Sequence, residues 1–220
     1  MASRPHPAQA RRPAPRLYLV TPPVSEAASF ADALAAMLEG ADVAAVLLAL
    51  DAANERTLVN RVKAIAPAVQ GKEVALLVDG HPEIVARGGA DGAHLSGIDA
   101  FTAAAPALKP ERIAGCGGLT SRHDAMLAGE GAADYVMFGE PGADARRPAL
   151  DAIVERVGWW SEVFEIPCVG YAASFEEIAP LAQAGAEFVA LGPFVFEDRR
   201  GGAIALEDAA RCLAVAETAR

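Results

Sequence analysis

Eight short apolar runs, each followed by a stretch of helical periodicity, constrain this chain more than any other feature. They lie at 17–20, 43–50, 74–78, 93–95, 113–116, 135–138, 168–171 and 188–191. Most lack polar alternation, as strands do when a parallel sheet buries them on both faces. The segments between them repeat apolar residues at helical spacing, for example Phe30, Leu34, Met37 and Leu38, and later Phe175, Ile178, Leu181 and Ala182. Capping signals precede them: Ser25 with Glu26, Thr120 with Asp124, and Ser174 before Glu176 and Glu177. Eight β-then-α units in one chain of this length predict a single-domain α/β fold, a closed (β/α)₈ TIM barrel over residues 16–220. Aromatics are only 6% of the chain against 53% hydrophobic residues, so the core is aliphatic and fits short covered strands better than a ring-rich sandwich.

A weak repeat supports closure. Gly40-Ala41-Asp42, Gly89-Ala90-Asp91, Gly131-Ala132-Ala133-Asp134 and Gly185-Ala186-Glu187 precede the second, fourth, sixth and eighth runs. Each glycine is expected to end a helix in the left-handed conformation. One occurrence per two units is hard to place in an open sheet. The longest connection, between the sixth and seventh runs, holds a predicted helix over 148–163 with Trp159 and Trp160 near its end. Adjacent residues lie about 100° apart on a helix, so the two rings cannot face the barrel equally.

Several function classes are excluded by charge and composition. A net charge of −10 argues against nucleic acid or an anionic membrane as partner, and no apolar run is long enough to span a bilayer. Cys116, Cys168 and Cys212 are odd in number, with no C-x-x-C, which fits reduced thiols in a cytoplasmic protein. Residues 1–15 are basic and proline-rich without an apolar centre, and read as a disordered tail.

In such barrels chemistry sits at the C-terminal ends of the strands. Asp51, Asp79, Asp99 and Glu140 all follow strand ends, where carboxylates either hold Mg²⁺ or cap the next helix. Asp79 and Asp99 are the metal candidates. His81, beside Asp79, is a candidate general acid/base; its alternative is a helix-start residue in water. His94, inside the fourth strand, reads as a hydrogen-bonded core histidine. Cys116 is either a nucleophile or a buried small hydrophobe. Gly117 and Gly118 allow backbone amides to approach an anion, and Arg199, Arg200 and Gly201 form the one basic glycine-bearing loop at the expected face. That loop is a phosphate or carboxylate site, or an exposed loop paired with Glu197 and Asp198. The three lysines, Lys63, Lys72 and Lys109, lie in helices or before strands, away from the expected mouth.

These motifs resemble a family. Leu17-Tyr18-Leu19-Val20-Thr21-Pro22, Ala90-Asp91-Gly92-Ala93-His94-Leu95 with Asp99, the stretch from Gly131 to Gly139, and Ile166-Pro167-Cys168-Val169-Gly170 look like strands one, four, six and seven of thiamine phosphate synthases and the related thiazole tautomerases. The resemblance covers most of 16–215. It implies a transferase of thiamine biosynthesis, in which a pyrimidine diphosphate loses pyrophosphate and is captured by a thiazole phosphate, with Mg²⁺ as cofactor and homodimers common. It also implies residues that this chain lacks. Where the family has Gln-x-Arg-x-Lys ending strand two, the chain has Val46-Leu47-Leu48-Ala49-Leu50-Asp51. The Asn-Asp pair is reduced to Asp79-Gly80-His81, the Thr/Lys loop is Glu140-Pro141-Gly142, and the Gly-Gly turn after strand seven is Tyr171-Ala172-Ala173. The tautomerase histidine would fall near Leu119. Three functions stay open: a synthase-like barrel that binds a phosphorylated small molecule, a non-catalytic metabolite-binding or regulatory barrel, and a different phosphate-ester enzyme using Asp79, His81 and Cys116.

Overall fold

A computed structural model describes residues 13–142 and 144–218. The tail expected over 1–15 lies outside the described residues except for its last three positions. Eight parallel strands close into a barrel in sequence order: β1 (Arg16–Val20), β2 (Val43–Leu48), β3 (Ala75–Asp79), β4 (Gly92–Ser96), β5 (Ile113–Gly117), β6 (Tyr135–Phe138), β7 (Cys168–Ala172) and β8 (Phe188–Leu191). β1 pairs with β8 as Arg16 with Phe188 through Leu19 with Leu191, which completes the ring. The predicted run 43–50 stops as a strand at Leu48, and Leu50 makes only an isolated bridge to Val24.

Helices cover the barrel: α1 (Ala27–Met37), α2 (Glu55–Gln70), α3 (Val85–Gly88), α4 (Ile98–Leu108), α5 (Arg122–Glu130), α6 (Leu150–Val163), α7 (Ile178–Ala184) and α8 (Gly202–Thr218). Strand alternation sorts the core into two layers. Tyr18, Ala45, Leu47, Leu77, Tyr135, Met137, Val169, Tyr171 and Ala190 form one buried cluster, the barrel interior. The opposite parity, including Leu19, Val46, Leu76, Cys116 and Val136, packs outward with the helices.

The acid of the repeat explains why that punctuation recurs. Asp91 accepts the Leu76 N–H at 2.7 Å, Asp134 that of Ala114 at 2.7 Å, and Glu187 that of Cys168 at 2.9 Å. Asp42 instead holds Arg16, with Nη2 to Oδ1 at 2.6 Å. Each acid thus ties the start of an even strand to the start of the odd strand before it. The glycines follow the expectation at two places only. Gly89 and Gly185 adopt the left-handed conformation, but at the third site Ala132 takes positive φ in place of Gly131, and Gly40 does not.

Two other expectations are adjusted. The helix cap before α5 is Ser121 rather than Thr120, in a reciprocal box with Asp124, while Thr120 adds a further bond to Asp124 at 3.0 Å. Neither Glu26 nor Ser174 makes a side-chain cap bond at its own element. On α6, Trp160 is fully buried and donates Nε1–H to the Ile166 carbonyl at 2.7 Å, whereas Trp159 is half-buried beneath Arg122. No helix among the described residues is long and apolar enough to cross a membrane.

Candidate active site at the barrel mouth

A polar chain runs through the interior towards the C-terminal ends of the strands. The Tyr18 and Tyr135 hydroxyls stand 2.8 Å apart, and the Tyr135 hydroxyl lies 2.9 Å from His94 Nδ1. Nε2 of His94 faces Glu140 Oε1 at 3.9 Å, and Glu140 accepts the N–H of Gly118. Glycines make this arrangement possible. A Cβ on Gly117 would collide with the Glu140 carboxylate and the His94 ring, and one on Gly115 would overlap the Tyr135 ring. The run Gly115-Cys116-Gly117 therefore places its two side-chain-free positions inward and the thiol outward.

Burial sets the protonation of these groups. It pushes the Glu140 carboxyl up to about 7, helped by the negative charge of Asp79 and opposed by the Gly118 N–H and Arg156. It lowers His94 to about 4, so the imidazole is neutral at pH 7 and its contact with Glu140 is not an ion pair. Both tyrosines are raised, chiefly by burial. Asp79, the last residue of β3, is register partner of His94, and burial raises its carboxyl while His81 partly offsets the shift.

Of the residues singled out in the sequence, His94 and Glu140 meet at the mouth, and the metal, acid/base, nucleophile and phosphate candidates form no single cluster with them. Asp79 is half-buried at the mouth. Asp99 is exposed in the first turn of α4. His81 stands just past β3 with Nδ1 3.0 Å from Glu83, at the start of a 3₁₀ turn. Cys116 is buried against the helices, away from the lumen, and its thiol is pushed up to about 12 by burial. That is the small-hydrophobe alternative rather than an activated nucleophile. Gly117 and Gly118 lie at the mouth, where the N–H of Gly118 is already given to Glu140. Arg199 and Gly201 are exposed just ahead of α8. Arg200 is held by Asp198 (Nη2 to Oδ2, 2.7 Å), as expected, and by Asp208 (2.8 Å) in place of the expected Glu197. Among the described residues, no three His, Cys, Asp or Glu side chains are grouped to hold a metal ion.

The sequence did not reveal two arginines that approach the mouth. Arg147 donates to the carbonyls of Gly139 (3.0 Å) and Tyr171 (3.0 Å) and pairs with Glu177 at 2.8 Å. Arg156 donates to the carbonyls of Leu119 (2.7 Å) and Thr120 (3.3 Å). Both brace loops. Only the Arg146-Arg147 pair ahead of α6 hinted at them, and loop folding decides where such side chains go.

Fold and mouth together define a closed (β/α)₈ barrel with a polar chain reaching its C-terminal end. The chain belongs to the thiamine monophosphate synthase family, whose sequence pattern matches residues 17–194. It is 39% identical over 197 residues to a thiamine-phosphate synthase of Rhodospirillum centenum, covering 88% of this chain and 95% of that protein. A second thiamine-phosphate synthase, from Hyphomonas neptunium, is 34% identical over 204 residues, covering 89% and 92%. The fold is similar to that of thiamine phosphate pyrophosphorylase from Pyrococcus furiosus, with a TM-score of 0.74 at 20% identity over 91% of this chain and 96% of that one.

Proposed function

We propose that this chain binds a phosphorylated small molecule at its mouth and does not run the coupling of a pyrimidine diphosphate to a thiazole phosphate. One observation carries the reading: aliphatic residues end β2, at a mouth whose partly buried ionisable side chains include Asp79 and Glu140. A departing pyrophosphate needs donors and positive charge around it. Arg147 and Arg156 are committed to backbone carbonyls, and Arg147 also to Glu177.

In this reading the phosphate docks at the loop between β8 and α8. Arg199 supplies a charged contact, Gly201 lets the chain turn at φ +100°, and the first N–H groups of α8 face the anion. Arg200, clamped by Asp198 and Asp208, shapes the loop rather than meeting the ligand. Gly117 serves by leaving room for His94 and Glu140, and Gly118 by giving its N–H to Glu140. Asp79 and Asp99 are the residues that would hold a Mg²⁺, since their carboxylates offer the hard oxygens it takes. Bound there, it would neutralise phosphate charge.

A second reading, an acid–base enzyme acting on a phosphate ester, is favoured by Glu140. This group faces the lumen, titrates near neutral pH and has a neutral imidazole beside it. It takes the role first considered for His81 and Cys116.

Isothermal titration with inorganic phosphate and with thiazole phosphate tests the binding claim. Saturable heat that weakens roughly tenfold or more in Arg199→Ala is expected, the loss of one charge-assisted contact. Absence of binding by either probe, or affinity untouched by the substitution, would overturn it.

A further inference from the structure

The opposite end of the barrel holds a cavity of about 300 Å³ that the mouth does not use. Tyr18, Ala45, Ala75, Leu77, Tyr135 and Phe188 wall it. It exists because the inward positions that open β2 and β3 are alanines, too short to reach the rings across the lumen. Barrel interiors are ordinarily filled by layers of larger branched side chains.

We propose that this N-terminal end is a second ligand site, which takes a small, uncharged aromatic molecule. The polar atoms around it are already engaged. The two tyrosine hydroxyls bond each other, and that of Tyr135 also bonds His94. At the rim, Arg16 is paired with Asp42, and Asp134 with Lys109 at 2.6 Å and the Ala114 N–H. No buried side-chain nitrogen or oxygen among the described residues lacks a partner. A charged group entering would lose its hydration and gain no partner inside, whereas an apolar ring loses nothing. Tyr18, Tyr135 and Phe188 offer ring edges and faces to it.

Size narrows the class further. An apolar cavity of about 150 Å³ accepts benzene in an engineered protein, so this one suits one or two fused rings. The tyrosine pair separates the site from the mouth, since its hydroxyls lead on to His94 and Glu140.

The test is ¹³C-methyl NMR of the whole protein titrated with indole. Saturable shifts at the methyls of Ala45, Leu77 and Val169 are expected, unmoved by excess inorganic phosphate. Ala75→Leu, which fills the space, should weaken indole at least roughly tenfold, with methyl signals elsewhere unchanged. Ala45→Val provides a second filled variant should the first not fold. No saturable shift at those methyls up to the solubility of indole, or equal affinity in the filled variants, would overturn the proposal.

Discussion

His94 and Glu140 face each other across 3.9 Å at the mouth, the buried imidazole kept neutral near pH 7 and the largely buried carboxyl pushed up to about 7. Their shifts have opposite consequences for stability. Glu140 is raised, so its share of stability is whole below the ordinary carboxyl value and is lost as pH rises towards about 7. His94 is lowered, so its share is whole above the ordinary imidazole value and is lost as pH falls towards about 4.

Stability should therefore peak on the mildly acid side of neutrality. Glu140→Gln should remove the alkaline decline, a Glu140 contribution of about 2 kcal/mol between pH 5.5 and pH 8 that the opposite titration of His94 partly offsets. Urea unfolding at pH 5.5 and pH 8 checks this: the wild type loses stability between the two values and the variant does not. An unchanged difference between them would show that Glu140 is not the titrating group.

Gly117→Ala should destabilise the barrel by about 1–3 kcal/mol, because its methyl group meets the Glu140 carboxylate and the His94 ring. Pairing it with Glu140→Ala should recover part of the loss, as expected for residues in contact. Denaturant midpoints of the four proteins measure the coupling.

Tyr135→Phe should cost more than Tyr18→Phe. The Tyr135 hydroxyl bonds both Tyr18 and His94, so its removal leaves two buried groups short of a partner, at about 1–3 kcal/mol. Tyr18→Phe leaves the Tyr135–His94 bond intact. Equal losses in thermal unfolding would mean the chain does not run through Tyr135.

Asp134→Ala should cost about 1–2 kcal/mol through the lost Ala114 and Lys109 bonds, without weakening phosphate binding at the other end. Unfolding and titration of the same variant separate the two effects.

Much of this fold is legible in the sequence because strands buried on both faces need unbroken apolar runs, and all eight runs became strands. The repeat was visible, but what its acids do was not. Asp91, Asp134 and Glu187 reach N–H groups of neighbouring strands, a relation that only closure creates. Cys116 shows what strand parity can decide: glycines on both sides mark the inward positions, so the thiol had to face the helices. His94 is the hydrogen-bonded core histidine its place within a strand implied. Arg147 was not legible, since it reaches Tyr171 and Glu177 through an irregular connection whose path no periodicity encodes.

On the proposed reading, this barrel keeps its mouth as a binding site without the cations that the family's coupling reaction needs. The decisive experiment incubates purified protein with the pyrimidine diphosphate, the thiazole phosphate and Mg²⁺, beside the Rhodospirillum centenum synthase as control. No thiamine phosphate above the enzyme-free rate is expected. Turnover in the ordinary range of about 1 s⁻¹ or faster would contradict it.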